Sequence, residues 1–157
     1  MIRKITLINF MSHEHSVFDL SEGVNVLIGP NNCGKSAVVE AIRAVTENTR
    51  GNYMIRHGAK ECQVILETGE GDTIAWRRKK NSASYVINDE EIHRGRVPDT
   101  LHDLLKMQPV EVKDDAEDFD VHLGEQKSPI FLVDQPGSQV ATFFASATDA
   151  HYLVQMQ

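Results

Sequence analysis

Cysteine is scarce in this sequence: Cys33 and Cys62 are the two present in 157 residues. Their separation fits neither a metal-ligand pair nor a redox C-x-x-C, and two cysteines cannot build the disulfide framework of a small secreted scaffold. Long apolar runs are also missing, so no stretch has the length to cross a bilayer as a helix. The opening residues "MIRKITLINF" lack the apolar stretch and small-residue cleavage site of a secretory leader. No membrane partner is expected, and the expected location is the cytoplasm. Positive charge is in deficit, with 16 Lys and Arg against 23 Asp and Glu, a formal net charge of −7. A uniformly basic nucleic-acid coat is thereby excluded. Internal repeats and low-complexity tracts are absent. What remains, 41% apolar and 25% charged residues, is ordinary for a globular protein, and a single domain over 1–157 is expected.

The charge is unevenly placed, so one basic face remains compatible with the acidic total. "RRKK", Arg77 to Lys80, is a basic block, and "EVKDDAEDFD", Glu111 to Asp120, is an acidic run expected in a surface loop. An exposed hairpin edge rich in charge blocks aggregation, and this reading of "RRKK" competes with contact to DNA phosphates. Trp76 is expected in the core. "HEH", His13 to His15, could present alternate side chains to a metal in an extended segment, but without further ligands it reads as a polar strand end or turn.

β-Branched content predicts a strand in "IRKITLI", and "GVNVLIG" predicts a short apolar strand from Val24 to Ile28 between glycines. Helical spacing follows: Val38, Ala41, Ile42 and Val45 share one face, with Gly51 as a stop. From "CQVILETGEGDTIAWRRKKNSASYVINDEEI" three or four strands are expected, joined by turns at "GEGD", "KKNSAS" and "NDEE". Pro98 and Asp99 open a short helix with Leu101, Leu104 and Leu105 inward. A helix capped by Ser138 is expected through Phe143 and Phe144, and another begins near Thr148. The sequence closes on "YLVQMQ" without a helix-stop residue.

"GPNNCGKS", Gly29 to Ser36, satisfies the P-loop pattern G-x-x-x-x-G-K-[ST] between the expected strand and the expected helix. A chain of this length meets the bare pattern by chance about once in 200, so its strand–loop–helix setting adds weight. Glycines at 29 and 34 let the backbone wrap tightly, and the N–H groups of Asn31, Asn32, Cys33, Gly34, Lys35 and Ser36 can then converge on phosphate oxygens. Ala37, in the first helical turn, completes the expected contact set where the helix dipole favours an anion. Lys35 is expected at the β- and γ-phosphates and the Ser36 hydroxyl on Mg²⁺. Cys33 is a small residue at a permissive loop position. The pattern does not choose between ATPase, GTPase and kinase. The guanine-reading N-K-x-D is absent, and "RRKK" is the one candidate for a kinase lid.

"ITLINFMSHEHSVFDLSEGVNVLIGPNNCGKSAVVEAI" resembles the opening of SMC/SbcC-type ATPases, the group with RecF and RecN that acts on DNA in repair and chromosome maintenance. The likeness continues through "IRHGAKECQVILETGEGDTIAWRRKKNSASYVINDEEI" and "LGEQKSPIFLVDQPGSQVATFFASATDAHYL", so it covers nearly the whole chain. It implies an α/β fold: a P-loop NTPase, the N-lobe of an ABC-type head, with an antiparallel β-meander and flanking helices. In such heads the ATP site is split. The N-terminal half brings the P-loop and a Q-loop glutamine; the C-terminal half brings the signature motif, the Walker B acids and a switch histidine. No S-G-G signature occurs in this sequence.

By itself, "SPIFLVDQPGS" reads as an acid strand in which Ile130 to Val133 run into Asp134, with Gln135 where a catalytic glutamate would stand. The resemblance instead implies that Gln126 is the Q-loop glutamine, with a catalytic role and a share in Mg²⁺ coordination opposite Ser36. Residues 121–157 would then hold the Q-loop region and lobe helices, ending at the base of a coiled coil. The implied cofactors are ATP and Mg²⁺. The implied partners are a complementary C-terminal ATPase lobe or second head, DNA for the assembled complex, and a nuclease subunit. Met11 departs from relatives that carry a basic residue near the phosphates. Two other readings stand beside this one: a small P-loop kinase, and a non-catalytic module whose nucleotide state controls association.

Overall fold

The alternation of apolar and polar residues in "ECQVILET" puts Cys62, Val64, Leu66 and Thr68 on one buried face, and the same period recurs in the neighbouring segments. The computed structural model describes residues 1–92, 95–108, 122–124 and 136–147. They divide between two compact units, Met1–Lys106 and Met107–Gln157.

The first unit holds strands β1 (Ile2–Phe10), β2 (His13–Asp19), β3 (Glu61–Thr68), β4 (Thr73–Lys79), β5 (Ser82–Ile87) and β6 (Glu90–Ile92), with helices α1 (Lys35–Glu47) and α2 (Leu101–Leu105). The strands form one sheet in the order β2-β1-β3-β4-β5-β6, antiparallel at every pairing. Its register aligns two apolar rows on one face. Ile5 faces Leu66, Leu66 faces Ile74, and Ile74 faces Ile87; beside them run Leu7, Val64, Trp76 and Tyr85. All eight side chains are buried. Cross-strand rows of this kind are what stabilise a sheet, and a one-residue slip would turn the whole set to solvent.

The turns follow from local chemistry. Asn88 and Asp89 both have positive φ, 48° and 69°, which is the two-residue hairpin geometry that matches strand twist. Between β3 and β4, Gly71 at φ +96° lets Thr68 and Asp72 close the loop through their backbones at 2.9 Å. Helix α1 buries Ala37, Val38, Ala41, Ala44 and Val45. Its C-terminal end is fixed to the sheet by two buried donors. The Tyr85 hydroxyl donates to the Val45 carbonyl at 2.9 Å, and the Trp76 indole N–H donates to Asn48 Oδ1 at 3.2 Å. Burial lifts the Tyr85 phenol well above its ordinary pKa. Asn48, left-handed at φ 51°, ends the helix before Gly51 is reached.

Four strands stand where the meander was expected, and Trp76 is core. Three expectations need correction. Segment Val24–Ile28 is not a strand: residues 24–30 carry no regular structure. The Asn25 side chain instead closes a local turn, accepting from the Ser21 N–H at 3.0 Å and donating to the Ser21 carbonyl at 2.9 Å. Such local bonds compete with strand pairing, which also needs a neighbour to supply the ladder. In α2, Leu101 and Leu105 are buried while Leu104 is only half-buried, because a helix of five residues has too few turns to bury three leucines. In the second unit, α3 (Gly137–Ala147) contains Ser138 rather than starting after it. Phe143 and Phe144 there pack edge to face with centroids 5.6 Å apart. The acidic run, the segment 125–135 with Gln126, Asp134 and Gln135, and the helix expected near Thr148 lie outside the described residues.

Candidate functional site

The loop between Gly29 and Ser36 folds as its glycines predict. Gly34 is left-handed at φ +98° and Asn32 at φ 62°, so the backbone reverses twice in a few residues. At Gly29 a Cβ would meet the Cys33 sulfur at 2.8 Å, so a larger residue there would displace that side chain. The Lys35 ammonium is drawn over this turn, donating to the carbonyls of Gly29 at 2.8 Å and Pro30 at 2.6 Å, with Cys33 Sγ 3.6 Å away. Asn31, Asn32, Cys33 and Ser36 are exposed and Lys35 is half-buried. Ala37 differs from them, with a buried side chain and an N–H that donates to the Gly34 carbonyl at 3.0 Å.

Helix α1 opens on this loop with no side-chain cap and no acidic residue in its first turn. Its first N–H groups and the positive end of its dipole therefore face the loop without a competing carboxylate, as an anion site requires. A triphosphate fits this donor set. Lys35 would exchange carbonyl partners for phosphate oxygens, and the exposed Ser36 hydroxyl would be the residue to hold a metal ion there.

Sequence reasoning missed the support for this loop. Ser12 and His13, at the β1–β2 turn, press against Gly34, where a Cβ would lie 2.6 Å from Ser12 Oγ and 2.5 Å from His13 Nε2. That turn is held in place from its other side. The Met11 N–H donates to the Met54 carbonyl at 2.7 Å, and Arg56 donates through its N–H to Asn9 at 2.8 Å and through its guanidinium to the Ser12 carbonyl at 2.6 Å. No local motif signals these contacts, because Ser12 and Arg56 lie 44 residues apart. His13 makes a side-chain contact with the loop, and among the described residues no three His, Cys, Asp or Glu gather as a metal-binding group.

The basic block is partly neutralised: Glu61 lies 4.0 Å from Arg77 and 3.5 Å from Lys79. Lys80 lines an open cleft of about 480 Å³ with Arg56, His57 and Lys60. No helix among the described residues is long and apolar enough to cross a membrane.

The two thiols sit in opposite environments. Cys62 is buried, and loss of solvation pushes its pKa up to about 11, whereas Cys33 is exposed within the loop. Alkylation with iodoacetamide is expected to mark Cys33 selectively and to block the binding of Mg·ATP. ATP at about ten times its dissociation constant should slow the labelling about tenfold, because the labelled state is the free one. Peptide mapping that finds equal rates with and without ATP would remove Cys33 from the contact set.

A glycine-rich turn closing over its lysine at an uncapped helix start is the phosphate-binding element of the P-loop NTPases. Within that class, residues 4–148 match the AAA domain family (AAA_23), and the chain belongs to it. It matches the N-terminal part of SMC- and Rad50-type P-loop ATPases. The DNA double-strand break repair Rad50 ATPase of Thermoplasma acidophilum is 43% identical over 104 residues, 64% of this chain and 10% of that protein. The chromosome partition protein Smc of Myxococcus xanthus is 46% identical over 91 residues, 57% of this chain and 7% of that protein. The chain thus spans no more than about a tenth of the length of these curated relatives. Two solved structures share its fold. One is an SMC ATPase studied for ATP-driven dimerization and DNA-stimulated activation, with a TM-score of 0.56 at 23% identity over 67% of this chain and 77% of that one. The other is the recombination mediator RecF with ATP, with a TM-score of 0.53 at 20% identity over 60% of this chain and 28% of that one.

Proposed function

We propose that this chain is the ATP-binding N-lobe of an SMC/SbcC-like ATPase that acts in DNA repair or DNA-end processing. The observation that carries the reading is the Gly29–Ser36 loop, wrapped around the Lys35 ammonium at the uncapped start of α1. In this reading Lys35 contacts the β- and γ-phosphates, Ser36 and Gln126 share the Mg²⁺ sphere, and the backbone N–H groups of Asn31 to Ser36 hold the phosphate oxygens. Residues 1–157 act as one half of a head. A complementary lobe brings the signature motif and the acid that orients water, and DNA and a nuclease subunit join the assembled complex. The relatives named as Rad50 ATPases support the DNA-repair assignment.

Phosphoryl transfer depends on positioning and electrostatic stabilisation, and this chain offers the binding half of both. The pure chain is therefore expected to bind Mg·ATP and hydrolyse it negligibly. Adding a signature-bearing lobe should raise turnover by about two orders of magnitude or more, the scale lost when one group stabilising a transition state is removed. Turnover is measured by phosphate release with and without that lobe. Rapid Lys35-dependent hydrolysis or transfer to a small acceptor by the chain alone would favour a complete kinase or hydrolase. Binding without turnover in every mixture would favour a nucleotide-controlled association module.

A further inference from the structure

His13 stands outside the P-loop pattern yet makes a side-chain contact with it. Its Nε2 lies 3.2 Å from the Gly34 carbonyl oxygen, and its Nδ1 lies 2.8 Å from Ser16 Oγ. A carbonyl can only accept, so Nε2 carries the proton; in the neutral ring Nδ1 then accepts from the Ser16 hydroxyl. The edge-to-face packing of Phe18, with centroids 5.7 Å apart at 82°, fixes the plane of the ring. The turn that carries His13 is itself held by Arg56 and Met54. His13 therefore reaches the loop from a fixed base.

The bonded atom is well placed to orient the site. Gly34 is the N-cap of α1, and its carbonyl also accepts the Ala37 N–H at 3.0 Å. Orienting that carbonyl orients the peptide joining Gly34 to Lys35, and with it the Lys35 N–H. Gly34 has no Cβ and sits at positive φ, so its own side chain gives the peptide no restraint. The restraint comes from across the chain.

We infer that His13 is a positioning residue of the nucleotide site: its Nε2–H holds the Gly34 carbonyl so that the N–H groups at the start of α1 face the phosphates before nucleotide arrives. This rests on the reading of residues 29–36 as the nucleotide loop. The gain is preorganisation, since a loop already in its bound geometry loses less freedom on binding.

The test compares three variants of the full chain by calorimetry with Mg·ATP. A glutamine amide N–H reaches the place of histidine Nε2, whereas an asparagine amide reaches only the place of Nδ1. His13→Ala and His13→Asn are expected to bind about tenfold more weakly, the scale of one lost hydrogen bond, while His13→Gln stays within about threefold of the unmodified chain. Nitrogen NMR of the unmodified chain should find the ring proton on Nε2, an observation that needs neither a variant nor nucleotide. A proton on Nδ1 alone, equal affinity in all three variants, or equal losses in His13→Asn and His13→Gln would overturn the inference. Unmodified chain that binds no Mg·ATP would overturn the nucleotide reading as well.

Discussion

Lys35→Ala is expected to weaken Mg·ATP binding by about 100-fold, corresponding to about 3 kcal/mol for a charge-assisted contact to phosphate. The ammonium now lies over the Gly29 and Pro30 carbonyls. Both oxygens belong to exposed residues, so water takes over their hydrogen bonds when the side chain is cut back. No apolar packing is lost with it, because the core of α1 lies on Ala37, Val38, Ala41, Ala44 and Val45. The ligand-free variant should therefore unfold at nearly the same temperature as the parent chain. What should disappear is the rise in that temperature on adding Mg·ATP, since a ligand stabilises only the state that binds it. Unchanged affinity in a folded variant would remove the loop from the nucleotide site.

How much of this was legible in the sequence depended on the range of the signal. The loop was readable because the phosphate chemistry fixes residue types at fixed spacing, and Gly34 in particular sits at a positive φ against Ser12 and His13. The meander was readable because Val64, Leu66, Ile74 and Trp76 alternate with polar residues. Strand β2 escaped notice because none of its residues is fully buried, so an edge strand of this kind leaves no core pattern. His13 and Arg56 gain their roles from contacts across 21 and 44 residues, and short-range periodicity carries no such information. Segment Val24–Ile28 shows the opposite failure. Its composition suits a strand, but composition cannot provide the neighbour that a strand requires.

Among the described residues no strand pairs with this run, and that leads to the second large effect. Val24, Val26 and Ile28 are 90%, 72% and 91% exposed, in the run that leads into the nucleotide loop. The core valines contrast with them, Val38, Val45 and Val64 being nearly inaccessible. Covering a valine fully is worth about 1.5–3 kcal/mol, so a partner that lays a strand beside this run gains both apolar burial and a hydrogen-bonded ladder. Under the proposed function that partner is the complementary lobe. Val26→Asp should then leave the separate chain almost untouched, within about 0.5 kcal/mol, because the position is already in water. In the assembled head it would bury an unpaired carboxylate at a cost of several kcal/mol. Association with the lobe should fall by about 100-fold or more, and Mg·ATP turnover of the mixture should fall with it. Val17→Asp is the control, since Val17 is also exposed, at 45%, but lies on edge strand β2, opposite Thr6 of β1. Sedimentation of each variant with the complementary lobe reads the association directly. Full assembly with Val26→Asp, or equal losses for both substitutions, would mean that the lobe docks elsewhere.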